Sequence, residues 1–216
     1  SMNAEVGKAH QALLYSCWLL AMTGLLGITV TGDAFNIFVF MEISSLASYV
    51  MVANGPKRQA LTASFKYLVT GTLGATFYLI GVGYLYMMTG TLNIADMAVR
   101  LADVSDTLPV IIAGGFVILG VALKAALFPM HAWMPNAYQH APTPVAIFFA
   151  ACATKVALFV MLRFQYELLL PNLGPQAAFL SSWLIPLCVG GFLVGSAVAM
   201  FERDLKRMLG YSSVAQ

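Results

Sequence analysis

Two lysines stand inside long apolar runs, Lys124 within residues 109–128 and Lys155 within residues 144–162, and each is the only charge in its run. In a bilayer that is costly. A lysine at mid-helix carries roughly 2.5–3.5 kcal/mol of insertion penalty, whereas each Leu, Ile or Phe returns only about 0.3–0.6 kcal/mol. Charges kept at that cost are candidates for moving an ion. A third one, Glu42, sits in the apolar run 35–53 and shares a helical face with Phe38, Ser45 and Tyr49, so it projects beside small and polar groups rather than into lipid. It is the obvious counter-charge for Lys124. Making and breaking such a pair changes how tightly each member holds its proton, and His131 and Lys155 are candidates for the next station. The bland reading of the same residues is a structural salt bridge and a snorkelling lysine.

Between the two lysine-bearing runs lie Pro129, Pro135, Pro142 and Pro144. Proline removes a backbone donor and disfavours helix in the residue before it, so the helix carrying Lys124 is expected to break or end near Phe128. Carbonyls freed at membrane depth are tolerated where protein or a water-filled cavity supplies partners, which is where transporters place ion sites. Lys66 lies close enough to Lys57 and Arg58 to reach headgroups, and His140, near the end of the break, reads as an interface residue. Both are accessory candidates. A metal site from His131 and His140 is disfavoured, because no cysteine or carboxylate stands beside them at ligand spacing. No nucleophile–base pair or phosphate-cradling glycine loop stands out, so a transporter is expected rather than an enzyme, with no cofactor.

These residues need spans to position them. Only 9% of the 216 residues are charged, far below the typical quarter of a soluble domain, and 60% are hydrophobic, so the chain reads as an all-α integral membrane protein. Six spans are expected, at about residues 11–31, 35–53, 66–89, 109–128, 144–162 and 177–201. Asp33 is a candidate N-cap for the second, and the third is rich in glycine for close helix packing (Gly71, Gly74, Gly81, Gly83). Residues 90–108 suggest a short interfacial helix, and residues 164–175 a short loop carrying Glu167. Cys17, Cys152 and Cys188 read as small buried side chains. Sparse charge without a basic cluster sets nucleic acid aside. Lys8, Lys57, Arg58, Arg203, Lys206 and Arg207 fall on one side of this topology against Arg100 and Arg163 on the other, so both ends of the chain are expected in the cytoplasm. Asp33, Asp96, Asp103, Asp106 and Glu167 then face outward.

Four segments, GDAFNIFVFMEISSLASYV, KAALFPMHAWMPNAYQHAPTPV, ACATKVALFVMLRF and RDLKRMLGYSSVAQ, together resemble the antiporter-like subunits shared by respiratory complex I, membrane-bound hydrogenases and Mrp-type cation/proton antiporters. The wording of the second and third spans looks most like the D-type branch of the Mrp group. The resemblance implies a fold of inverted five-helix repeats, each with a broken helix. Residues 1–10 would be a cytoplasmic segment, 11–163 the first repeat with its break near Pro129, and 164–216 the first helix of the second repeat. It also implies that Glu42 matches the family glutamate, Lys124 the lysine before the break, His131 the histidine after it and Lys155 the lysine of the next helix. The implied activity is proton translocation exchanged for sodium or another monovalent cation, in a bacterial or archaeal cell membrane, beside other membrane subunits. Redox-driven pumping in a complex I-like or hydrogenase assembly and a purely structural subunit are the alternatives. One departure stands out: relatives often read Pro-Asp-Ala-His where this chain has Pro135, Asn136, Ala137 and Tyr138, and neither Asn136 nor Tyr138 carries charge at neutral pH, although both can hydrogen-bond and Tyr138 is a further accessory candidate.

Overall fold

The computed structural model describes residues 8–104 and 107–216, so residues 1–7 of the expected amino-terminal segment, and Asp106, lie outside the described residues. Described residues form helices throughout: α1 (Lys8–Val30), α2 (Ala34–Ala53), α3 (Gln59–Thr89), α4 (Ile94–Leu101), α5 (Leu108–Lys124), α6 (Trp133–His140), α7 (Thr143–Leu173), α8 (Pro175–Phe201) and α9 (Leu205–Ala215). Five of these are long and apolar enough to cross a bilayer, and α5 is a shorter apolar helix of 17 residues. All six expected spans are present. Their boundaries differ where a helix runs on past its apolar stretch.

Helix α3 starts at Gln59 rather than Lys66, because Gln59 and Thr62 interrupt hydropathy without interrupting helix. Its 31 residues span about 46 Å against a hydrocarbon core of about 30 Å, so its ends reach into the headgroup layers. Helix α7 continues to Leu173 instead of stopping at Leu162. The expected loop carrying Glu167 is therefore helix: Glu167 pairs with Arg163 one turn back, Nε–Oε2 3.1 Å, and the stop comes only at Gly174, whose φ is +46°, followed by Pro175. Two π-helical segments, Phe149–Ala153 and Phe164–Leu169, widen α7 on the way.

Helices α3 and α5 pack most closely through glycine: a Cβ placed on Gly120 would lie 2.5 Å from the Tyr78 nitrogen and 2.6 Å from the Gly74 oxygen. Of the four expected packing glycines on α3, Gly83 meets nothing within 4 Å. At one end of the bundle the starts of α2 and α4 are stitched together, Ala34 N–H donating to Leu92 O (2.8 Å) and Ile94 N–H to Gly32 O (2.9 Å). Asp33 and Asn93 cap the two helices with their side chains, as expected for Asp33. Arg163 closes the same end by donating to Thr31 O. At the other end α9 folds back onto α6, capped by Asp204, with Lys206 Nζ donating to Ala141 O at 3.1 Å.

Two apolar cores result. One gathers Leu14, Tyr49, Tyr67, Trp133, Tyr138 and Phe149 from α1, α2, α3, α6 and α7. The other gathers Ile28, Tyr78, Val82, Met97, Val117 and Phe164 toward the stitched end. Polar side chains lie between them, and that layer holds the site.

Candidate functional site

The break after Lys124 is made by the backbone four residues earlier than proline placement suggests. Leu127 N–H donates to Ala122 O (2.9 Å) and Ala126 N–H to Leu123 O (3.2 Å), the two bonds of a Schellman stop, with Ala126 in the left-handed region at φ +54°. Leu123 O gains a second partner, the Trp133 indole N–H at 3.1 Å, so the first side chain of α6 satisfies a carbonyl freed at the end of α5. Lys124 is thereby the last residue of α5. Its ammonium stands at the partially negative end of the helix dipole, where a cation gains about 0.3–1 kcal/mol, and up to about 2 kcal/mol when partly buried.

Two residues of α2 face that ammonium. Lys124 Nζ donates to Ser45 Oγ at 2.6 Å and lies 3.6 Å from Glu42 Oε1, beyond hydrogen-bond range but well within ion-pair range. The lysine side chain is 8% exposed and the glutamate 24%, so the pair is sunk in the bundle. At 3.6 Å and an effective dielectric of about 20, the attraction is about 4–5 kcal/mol, comparable with the several kcal/mol that each ion loses in leaving water. The attraction is gained once while both ions lose their hydration, so desolvation is the larger side, and the Ser45 hydroxyl and the helix end help to offset it.

Lys124 opens onto a cavity of about 50 Å³ whose polar lining also includes Ser44, Ser45, Ser48, Tyr67, Tyr138 and Thr154. At roughly 10–15 Å³ of such volume per water, it has room for about three to five. Among the described residues, neither the buried Thr154 hydroxyl nor the Glu42 Oε1 has a hydrogen-bond partner. On one side the wall is a ring pair, Tyr67 stacked on Trp133 with centroids 4.3 Å apart and planes within 1°.

Glu42, Lys124 and Tyr138 are thus assembled in one layer. The other candidates lie elsewhere. Lys155 is exposed on the outer face of α7 and donates to Ala150 O at 2.8 Å across the π-helical segment; its neighbour Thr154 is the residue in the cavity wall. His131 stacks on Phe128 at 5.5 Å and meets the edge of Tyr211 from α9 at 6.2 Å. Lys66 and His140 line an open groove between α3 and α6. Ser44, Ser48, Tyr67 and Thr154 are not among the residues that sequence reasoning singles out. The cluster Ser44-Ser45-x-x-Ser48 beside Glu42 is the signal available for the first two.

The family model for the transmembrane part of NADH:quinone oxidoreductase and Mrp antiporter proteins matches residues 31–216. An N-type subunit of the NADH-quinone oxidoreductase of Desulforudis audaxviator is 48% identical over 96% of this chain and 41% of its own length. A D-type subunit of the Na(+)/H(+) antiporter of Alkalihalophilus pseudofirmus is 31% identical over 94% of this chain and 40% of its own length. A solved chain of an archaeal membrane-bound sulfane sulfur reductase superposes with TM-score 0.87 at 36% identity, covering 92% of this chain and 40% of that one. The chain spans about two fifths of the length of these relatives, and both branches of the family are among them. It belongs to the NADH:quinone oxidoreductase/Mrp antiporter transmembrane family.

Proposed function

We propose that this chain is the proton-carrying half of an antiporter-like subunit, in which Lys124 takes up and releases a proton under the control of Glu42. The observation that carries the reading is a buried ammonium held at once by Ser45, Glu42 and a helix end, and opening onto a polar cavity. Desolvation there exceeds the attraction of Glu42 alone and is offset with the help of Ser45 and the helix end, so a small change in the Glu42–Lys124 separation tips the proton on or off. Ser48, Tyr67, Tyr138 and Thr154 supply hydrogen-bond positions for water that relays it. Lys155 and His131 continue the path. Lys155 follows Thr154 directly in the chain, and its exposed face is the one available to the rest of a longer polypeptide or to a neighbouring one.

The chain corresponds to the first repeat of the fold and the first helix of the next, lies in a prokaryotic cell membrane among other membrane subunits, and has its Lys57 end in the cytoplasm. The excess of Lys and Arg at that end supports this orientation. Two readings of the driving force remain. Exchange for sodium follows the D-type antiporter relatives. Redox-driven pumping is favoured by the 48% identity to an N-type oxidoreductase relative.

The test is proton flux in vesicles containing the complete complex, comparing Lys124→Ala with the native chain. Lost flux with intact assembly is expected, and unchanged flux reduces the buried pair to scaffolding. Supplying a sodium gradient or NADH to the same vesicles separates the two readings: exchange responds to the gradient alone, pumping to the reductant.

A further inference from the structure

The outer face of α3 and α6 carries two adjoining open grooves of about 220 Å³ and about 300 Å³, which share Lys66 and Asn136. The first is lined by Gln59, Thr62, Lys66, Asn136 and His140, nearly all polar. The second, deeper along α3, is walled by Phe65, Val69, Ala132 and Trp133, together with Thr70, whose hydroxyl is spent on the Lys66 carbonyl at 2.9 Å. Polar chemistry at the helix end thus passes into apolar chemistry toward the bilayer centre. The scale is that of an amphiphile. Lys66 lies seven residues beyond Gln59, about 10 Å along an α3 that overhangs the hydrocarbon core, so its stem can run along the apolar wall and lift its ammonium to headgroup level.

The charge at this corner is mostly positive, although Arg207 is itself paired with Glu202, Nε–Oε1 3.2 Å. Lys57 and Arg58 precede the groove and are exposed, and Lys57, Arg207 and Asp204 all act electrostatically on His140. Asp204 is engaged in capping α9, accepting from Arg207 N–H at 3.1 Å, and Lys66 makes no ion pair among the described residues. A basic pocket between transmembrane helices at headgroup depth suits a lipid phosphate.

We propose that this groove binds an anionic phospholipid, with its phosphate against Lys66, Gln59 and Asn136 and an acyl chain along Phe65, Val69 and Trp133. A lipid seated there lies against the Trp133 ring that walls the Lys124 cavity, at the break in the helix.

The experiment is native mass spectrometry of the delipidated complete complex titrated with phosphatidylglycerol or phosphatidylcholine, for the native chain and for Lys66→Gln, Lys66→Arg and Val69→Trp. Phosphatidylglycerol is expected to be retained over phosphatidylcholine, about fivefold more weakly in Lys66→Gln, near native strength in Lys66→Arg, and not at the additional site in Val69→Trp, whose indole fills the chain groove. Glycerol phosphate should fail to displace it, since the acyl chain contributes to binding. Equal retention of the two lipids, no change in Lys66→Gln, or displacement by glycerol phosphate overturns the proposal. So does cross-linking of Thr62→Cys to a neighbouring polypeptide, which would make the groove a contact between subunits. Melting of each variant complex separates lost binding from lost folding.

Discussion

At Lys124 the Ser45 hydroxyl is the closest partner, a full ångström nearer than the Glu42 carboxylate. The serine therefore holds the ammonium in place while the glutamate sets its electrostatic bias. A hydrogen bond to a charged group contributes about 1.5–3 kcal/mol, and losing half of the larger figure, about 1.5 kcal/mol, slows a step about tenfold. Ser45→Ala is accordingly expected to slow proton flux in vesicles of the complete complex by about tenfold with assembly intact, and Ser45→Thr, which keeps the hydroxyl, to retain it. Equal flux in Ser45→Ala and native complexes would remove Ser45 from the path. Glu42→Gln keeps the shape but deletes the charge, so it is expected to cut flux more deeply than Ser45→Ala, because the attraction it removes is the larger. Flux in Glu42→Gln above that of Ser45→Ala would reverse the assigned ranking.

Among the elements, the broken helix is where local strain is stored. Ala126 adopts a left-handed backbone that costs an L-residue with a Cβ about 1–2 kcal/mol, and Gly at the same place pays no such penalty. Ala126→Gly is expected to stabilise the chain by about 1 kcal/mol, read as a raised melting temperature, and a lower one would mean that the Ala126 methyl packs more than it strains. The corner where α6 meets α9 responds instead to pH. Desolvation and then the positive charge of Lys57 hold His140 below its ordinary 6.5, with Arg207 adding to this and Asp204 opposing it. The unfolded chain therefore takes the proton more readily than the folded one. Stability contributed here is complete above about pH 6.5 and is lost as pH falls through the lower folded-state value, so melting temperature should drop on acidification and drop less in His140→Gln. A pH profile that His140→Gln leaves unchanged would exclude that histidine. Much of this level is legible in the sequence: apolar runs locate all six spans, and the cost of burying charge singles out Glu42 and Lys124, although it points equally to Lys155, which is exposed. The end of α5 is not legible, because an alanine stands where a glycine would mark the stop. Nor is the length of α7, because Arg163 and Glu167 lower hydropathy while supporting helix. Thr154 escapes because its charged neighbour is the more conspicuous residue, and periodicity is unreliable across a π-helical segment that shifts every later side chain around the axis.

The molecule as a whole is polarised along the bilayer normal. One end carries Lys57, Arg58, Arg203, Lys206 and Arg207, brought together by α9 folding onto α6, and of these only Arg207 is in an ion pair among the described residues, with Glu202 at 3.2 Å; the other end carries Arg100 and Arg163, each tied to a carboxylate, Asp96 and Glu167. Paired and unpaired cations are not equivalent in a membrane field. Arg100 and Asp96 form an i, i+4 pair at 3.0 Å, and Arg163 is spent on Glu167 and the Thr31 carbonyl, so that end offers little free positive charge. The basic end is therefore expected to stay on the cytoplasmic side. Single cysteines placed at Pro56 and Asp103, with Cys17, Cys152 and Cys188 replaced, give the check through a membrane-impermeant thiol reagent. Pro56→Cys should react in inside-out vesicles and be protected in right-side-out ones, and Asp103→Cys should do the reverse. The opposite pattern would invert the chain, place the Lys66 groove in the outer leaflet, and require protons to reach the Lys124 cavity from the other face.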